Sequence, residues 1–334
     1  TPDVRFDNLP GHAFAPNYVE IDGLRMHYVD EGPRNGETIL LLHGQPAWSY
    51  LYRRMIAPLA AAGYRVIVPD HIGFGRSDKP IDPRFHHFER QVALVKAFIQ
   101  KLGLDAITLF AQDWGSVFGL RIVGDRPDLF ARVAISNGGL PVFTPPIFYI
   151  PEPVEMKPDA PNMLQALGPT LGEPFPVSFQ AWINFTLTSP EFNPGQMIAF
   201  MCAQGGRPLG AEEIAAYNAP FPSILFRAAP RAFPSMVNQC GPRNAVAWGG
   251  LARFTRPFLH VRGTLDMQFG TQEMQDDMVQ AIPGSRGQPH AALEAGHYIQ
   301  DNKGEALTEL LIDFIKRNPM DPGPAPRVPT ALRS

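Results

Sequence analysis

At 334 residues, with 45% hydrophobic and 18% charged side chains, the chain can bury one large core plus a substantial insertion, which excludes an intrinsically disordered protein. A formal net charge of −3 provides no basic excess for nucleic acid or an anionic membrane. The 2 cysteines, Cys202 and Cys240, are too few for a disulfide framework, and without CxxC spacing or neighbouring histidines they suggest neither a metal site nor a cofactor.

The polar segment Thr1 to Asn8 lacks a secretory pattern, and no apolar run approaches the ~20 residues that span a bilayer. The expectation is a soluble cytoplasmic protein, acting as a monomer. Taken in chain order, Thr38–Leu42 reads as a buried strand, Tyr50–Ala62 as a helix and Arg65–Val68 as a strand. Phe88–Leu102 is helical, with Val92, Val95, Phe98 and Ile99 on one face and Gly103 as its stop. Ile107–Ala111 is a strand, Val117–Val123 the start of a helix, and Val133–Ser136 a strand. Many of the 36 prolines then fall between Leu140 and Pro234, where strand-like runs vanish. The alternation resumes with a strand at Pro257–Val261, a helix at Gln272–Ile282, a strand at Ala291–Glu294 and a helix at Glu305–Lys316. These periods predict an α/β domain with a mostly parallel sheet, built from residues 1–143 and 232–334. A helical cap is inserted at 144–231, and 319–334 is a loosely ordered Pro-rich tail.

Ligands of open α/β sheets bind at the carboxyl ends of the strands, which selects the loops around Gln45, Asp113, Asp266 and His297. In Ala111-Gln112-Asp113-Trp114-Gly115 a strand meets a helix with small residues on both sides of the central position, the pattern of a nucleophile elbow. Asp113 on its own fits a helix N-cap better. The chain order Asp113, Asp266, His297 favours the elbow, because nucleophile, acid and histidine follow each other in this way in α/β hydrolases. His297 follows the last strand and is the candidate base. Asp266 is its candidate orienting acid, since the strand ending at Ser136 leads into Asn137-Gly138-Gly139 with no carboxylate. The same layout predicts an oxyanion hole from the backbone N–H groups of Trp114 and Gln45.

A carboxylate nucleophile displaces a leaving group from sp³ carbon and forms an alkyl ester, which an activated water then hydrolyses. Haloalkanes and epoxides both suit this chemistry. Halide requires N–H donors in a dry pocket, whereas an epoxide oxygen requires a proton.

The chain resembles the haloalkane dehalogenases, specifically the subgroup whose halide site is made by two tryptophans. The resemblance rests on His43-Gly44-Gln45-Pro46-Ala47-Trp48-Ser49-Tyr50-Leu51-Tyr52-Arg53, Gly73-Phe74-Gly75-Arg76-Ser77-Asp78-Lys79-Pro80, Gln112-Asp113-Trp114-Gly115, Ala181-Trp182 and Ala219-Pro220-Phe221-Pro222. It continues through Asp266 and Ala295-Gly296-His297, reaching about Asn318. The first two segments are shared with epoxide hydrolases. Trp182, with Phe179 three residues earlier, separates the two families.

The resemblance implies an α/β-hydrolase fold and hydrolysis of small haloalkanes to a primary alcohol, halide and a proton. Asp113, Asp266 and His297 would be catalytic, Trp114 and Trp182 would bind halide, and no cofactor would be used. Val117, Phe179, Phe221, Pro222, Gln268 and Phe269 would line the substrate pocket. Two positions depart from the family pattern. Gln45 stands where Glu or Asn is usual, and Gln268 stands where an apolar pocket residue is expected. An epoxide hydrolase would need two cap tyrosines facing Asp113, and the insertion holds Tyr149 and Tyr217. A non-catalytic binding protein on this fold would be expected to lack the nucleophile or base, and a serine esterase would carry Ser at position 113.

Overall fold

The computed structural model describes residues 1–152, 154–170 and 172–320. The expected tail therefore lies outside the described residues from 321 onward. The strands are β1 (Asn17–Ile21), β2 (Leu24–Glu31), β3 (Thr38–Leu42), β4 (Arg65–Pro69), β5 (Ile107–Gln112), β6 (Phe130–Ser136), β7 (Phe258–Gly263) and β8 (Ala291–Leu293). They form one sheet in the order β1-β2-β4-β3-β5-β6-β7-β8. The β1–β2 and β2–β4 pairs are antiparallel and the remaining pairs parallel. The central strands β3 and β5 are almost wholly buried, which explains their continuous apolar runs: helices cover both faces of a parallel sheet.

The hairpin β1–β2 extends the expected sheet. Its turn is Asp22-Gly23, both with positive φ (50° and 75°), the backbone that a two-residue turn requires and that Asp-Gly supplies. The alternating Tyr18-Val19-Glu20-Ile21 beside that turn is the period-2 pattern of a strand with one exposed face.

The helices surrounding the sheet are α1 (Arg53–Ala61), α2 (Phe88–Lys101) and α3 (Trp114–Asp125). Between β6 and β7 come α4 (Met163–Leu167), α5 (Phe175–Thr188), α6 (Pro194–Gln204), α7 (Ala211–Asn218), α8 (Ala228–Ala232) and α9 (Pro242–Leu251). The chain closes with α10 (Gln272–Ala281) and α11 (Ile299–Arg317). No strand interrupts the described residues between β6 and β7. The start of α11 precedes the expected Glu305 because two helical segments join across a kink at Lys303 (φ −140°, ψ 38°).

One apolar core runs from the sheet into the inserted helices. A smaller cluster of Leu167, Phe185, Phe192 and Met197 lies within the insertion, and Trp182 packs against it. A buried polar joint ties α7, which lies between β6 and β7, to α1 and α11. Arg53 of α1 donates to Asp301 of α11 at 2.6 Å and to Glu213 of α7 at 2.5 Å, and the Tyr217 hydroxyl donates to Asp301 at 2.5 Å. Among the described residues, no helix is long and apolar enough to cross a membrane.

Candidate active site

Strand β5 delivers Asp113 into a strained turn, with φ 52° and ψ −130°. Such a conformation is costly for a non-glycine residue and clusters at functional positions. The turn is held tightly, for a Cβ on Gly115 would come within 2.1 Å of the Leu42 carbonyl oxygen. Asp113 does occupy the N-cap position of α3, but its side chain makes no capping hydrogen bond. Instead Oδ1 accepts from the Gln45 backbone N–H at 2.7 Å. Gly44 makes that approach possible, since a Cβ there would collide with the Asp113 carboxylate.

His297 follows β8, and Asp266 follows β7. Their side chains meet through His297 Nδ1 and Asp266 Oδ2, 2.8 Å apart. The second ring nitrogen, Nε2, stands 3.6 Å from Asp113 Oδ2. Asp266 Oδ1 accepts from the backbone N–H groups of Gln268 and Phe269, both at 3.1 Å. Burial disfavours its charge, but His297 and these donors outweigh burial and hold the carboxyl below the usual carboxylate range. For His297, burial disfavours the imidazolium, yet Asp266 and Asp113 prevail and its pKa is pushed up to about 10.

Two supporting residues escaped the sequence reading. Asn137, at the end of β6, donates to Asp266 Oδ2 at 2.8 Å and to the Gly296 carbonyl at 3.1 Å. It also accepts from the Gly263 N–H at 2.8 Å, so one amide braces the acid, its strand end and the histidine loop. Its strand-end position was the available signal, set aside because Asn carries no charge. Gln112, beside the nucleophile, places its amide nitrogen 2.9 Å from His297 Nε2 and donates to the His297 carbonyl at 3.2 Å.

A cavity of about 360 Å³ is lined by Asp113, His297, Gln45, Trp114 and Trp182. Among the described residues, neither Trp114 nor Trp182 gives its indole N–H to a protein acceptor, whereas Trp248 donates to the Leu140 carbonyl at 2.8 Å. Phe179, Gln268 and Phe269 line the same space. Val117 lines a second cavity, about 480 Å³, that also reaches Asp113 and Trp114.

Two expected pocket residues lie elsewhere. Phe221 is buried in the core against Phe74, with ring centroids 6.3 Å apart, and Pro222 is exposed. The chain turns at this point so that the larger apolar ring takes the core position. Gln45 contributes its backbone N–H as expected, but its side-chain amide donates to the Pro230 carbonyl at 2.5 Å. The Tyr298 hydroxyl fixes this loop from the other side, donating to the Gln45 carbonyl at 3.1 Å. No hydrogen bond joins the Trp114 backbone N–H to the carboxylate among the described residues. Neither tyrosine between β6 and β7 reaches Asp113: Tyr149 is 71% exposed, and Tyr217 is buried against Asp301. No group of three or more His, Cys, Asp or Glu side chains among the described residues is arranged to hold a metal.

A mostly parallel eight-stranded sheet that carries nucleophile, acid and histidine positions on its strand ends defines an α/β hydrolase, here with Asp at the elbow. A family model described as alpha/beta hydrolase fold matches residues 37–193. Haloalkane dehalogenase from Mycobacterium marinum is 40% identical over 324 residues, spanning 94% of this chain and 98% of that protein. Its counterpart from Psychrobacter cryohalolentis is 39% identical, over 96% of this chain and 98% of the relative. Among solved structures, the tetrameric haloalkane dehalogenase DpaA from Paraglaciecola agarilytica superposes with a TM-score of 0.77 at 28% identity, covering 96% of this chain and 98% of that one. The chain belongs to the haloalkane dehalogenase family of hydrolases.

Proposed function

We propose that this enzyme hydrolyses the carbon–halogen bond of haloalkanes through a covalent ester on Asp113. The observation that carries the reading is the division of labour on one carboxylate. Oδ1 is held by the Gln45 N–H at 2.7 Å, while the residue lines a cavity together with Trp114 and Trp182, whose indole N–H groups have no protein acceptor among the described residues.

In the first step Oδ2 forms a bond to the sp³ carbon, and the carbon–halogen electron pair leaves with the halide. Trp114 and Trp182 receive that anion. An indole has one N–H and no acceptor, so it stabilises an anion and leaves no lone pair to oppose it. In the second step water attacks the ester carbonyl carbon and passes a proton to His297 Nε2. The negative charge gathers on Oδ1, where Gln45 already donates. Collapse breaks the bond from that carbon to Oδ2, and the alcohol leaves with the histidine's proton. The regenerated carboxyl gives its proton to His297, which restores the resting pair.

The raised basicity of His297 fits this order. In the resting enzyme the imidazolium lies between Asp113 and Asp266. Alkylation makes Asp113 neutral and removes one of the charges that hold the proton, so the imidazolium releases it to solvent, where it balances the halide, and the neutral ring is a base when the ester awaits water.

In this reading 144–231 is the cap, and 1–143 with 232–334 the catalytic domain. The enzyme is active as a monomer, for which a sedimentation mass near 36.9 kDa is the test. The epoxide hydrolase alternative loses its acid catalysts, because Tyr149 and Tyr217 lie away from both cavities. Incubation with 1,2-dibromoethane beside a terminal epoxide decides between them. Bromide release without diol formation is the expected result, and diol formation alone overturns the proposal.

A further inference from the structure

Resting on the dehalogenase reading, we infer that Gln268 and Ser178 form a polar latch dividing the space around Asp113 into two chambers, one for halide and one for the hydrocarbon tail of a long haloalkane. Gln268 follows Asp266 on the sheet domain, and its amide donates to Ser178 Oγ of α5 at 2.9 Å. Gln268 lines both cavities, as do Phe179 and Phe269. Met267 lines both as well, and in the partition that these side chains make, the latch is the one direct side-chain hydrogen bond among the described residues.

The two chambers differ in chemistry. The one of about 360 Å³ holds His297 and Trp182. The larger one, about 480 Å³, is walled by Phe143, Phe175, Trp248 and Met278. The Trp248 indole N–H is already satisfied by the Leu140 carbonyl, and Trp114 borders both chambers, so the larger one lacks the second indole donor, Trp182, that would complete an anion site. Phe175 joins the wall across the partition, with ring centroids 4.9 Å from Phe179 and 5.5 Å from Phe269. The chamber leads outward along α10, where Met274 is half-buried and Asp277 exposed.

In-line displacement sends the halide away from Oδ2, while the rest of the alkyl chain projects sideways from the attacked carbon. One Asp113 bordering both spaces satisfies both directions. A polar Gln at position 268 then acquires a role that an apolar side chain could not fill, since its bond to Ser178 holds the partition closed between cap and sheet domain.

The test uses the full chain and needs no turnover for its first arm. Calorimetry with straight-chain 1-alkanols from ethanol to octanol should show affinity rising about fourfold per added methylene, the gain for burying one CH₂. Met274→Trp, which narrows the outer end of the chamber, should flatten that rise. In the second arm, Gln268→Leu and Ser178→Ala should each raise turnover of bromocyclohexane relative to 1-bromohexane, because an unlatched partition admits a branched ring. The double variant should change that ratio no more than either single one. Equal affinity for ethanol and octanol, or a rise untouched by Met274→Trp, overturns the tail chamber. A substrate ratio unchanged by either latch variant overturns the latch. Chain-length-dependent alkanol binding without halide release from any bromoalkane supports the chamber and sinks the dehalogenase reading instead.

Discussion

His297 Nε2 stands 3.6 Å from Asp113 Oδ2, on the far side of the ring from the 2.8 Å contact with Asp266. The imidazole is therefore bracketed by two carboxylates with different futures. In the proposed cycle Asp266 keeps its charge throughout, whereas Asp113 loses its charge each time it is alkylated. Asp113→Asn reproduces the neutral state without chemistry. The titration of His297 in this variant, followed by NMR of labelled imidazole, should move down from about 10 by a tenfold or larger loss of proton affinity. A midpoint unchanged from wild type would show that Asp113 does not hold the proton.

The same raised value has a consequence for stability. A histidine with a folded-state pKa above its unfolded value of ~6.5 stabilises the fold fully below that pH. The contribution fades as pH rises through about 10. The stability difference between wild type and His297→Gln, measured by urea unfolding, should therefore shrink from pH 6 to pH 10. A constant difference across that range would contradict the sign.

Trp182→Phe retains an aromatic ring against Phe185 and Phe192 but removes the N–H. Losing one preorganised donor costs up to about 10²–10³-fold in rate. Bromide should quench the wild-type indoles saturably, and the variant should lose most of that phase while alkylation slows. Unchanged quenching and turnover would remove Trp182 from the halide site.

Arg53→Met tests the buried joint of α1, α7 and α11. It leaves Asp301, whose side chain is 0% exposed, without its main counter-charge. Breaking one partner of a buried ion pair costs about 3–5 kcal/mol. Equilibrium unfolding should register a loss of that order, and a loss below about 1 kcal/mol would place the pair among surface-like contacts.

Much of this was legible in the chain. The central strands and the elbow could be read because buried parallel strands leave continuous apolar runs and strained turns demand small neighbours, as Gly115 illustrates. The hairpin β1–β2 was missed although Asp22-Gly23 marks it, because its strands alternate polar and apolar and are individually weak. The chain order pointed to Asp113, Asp266 and His297, and the folded chain brings their side chains together. The supporting amides were harder to see, since Asn137 and Gln112 act by geometry alone, through bonds that only the assembled strand ends create. Phe221 shows the opposite failure. A matching motif gave it a place in the pocket, but the packing of Phe74 claims it for the core.

In the proposed cycle a covalent ester at Asp113 forms without His297 and cannot be hydrolysed without it. Intact-mass spectrometry of His297→Phe after incubation with 1,2-dibromoethane tests this most directly. The expected outcome is about one bromide released per protein and a mass gain equal to the bromoethyl group, carried by the peptide containing Asp113. A folded variant that keeps turning over, or that releases bromide with no adduct on that peptide, would contradict it.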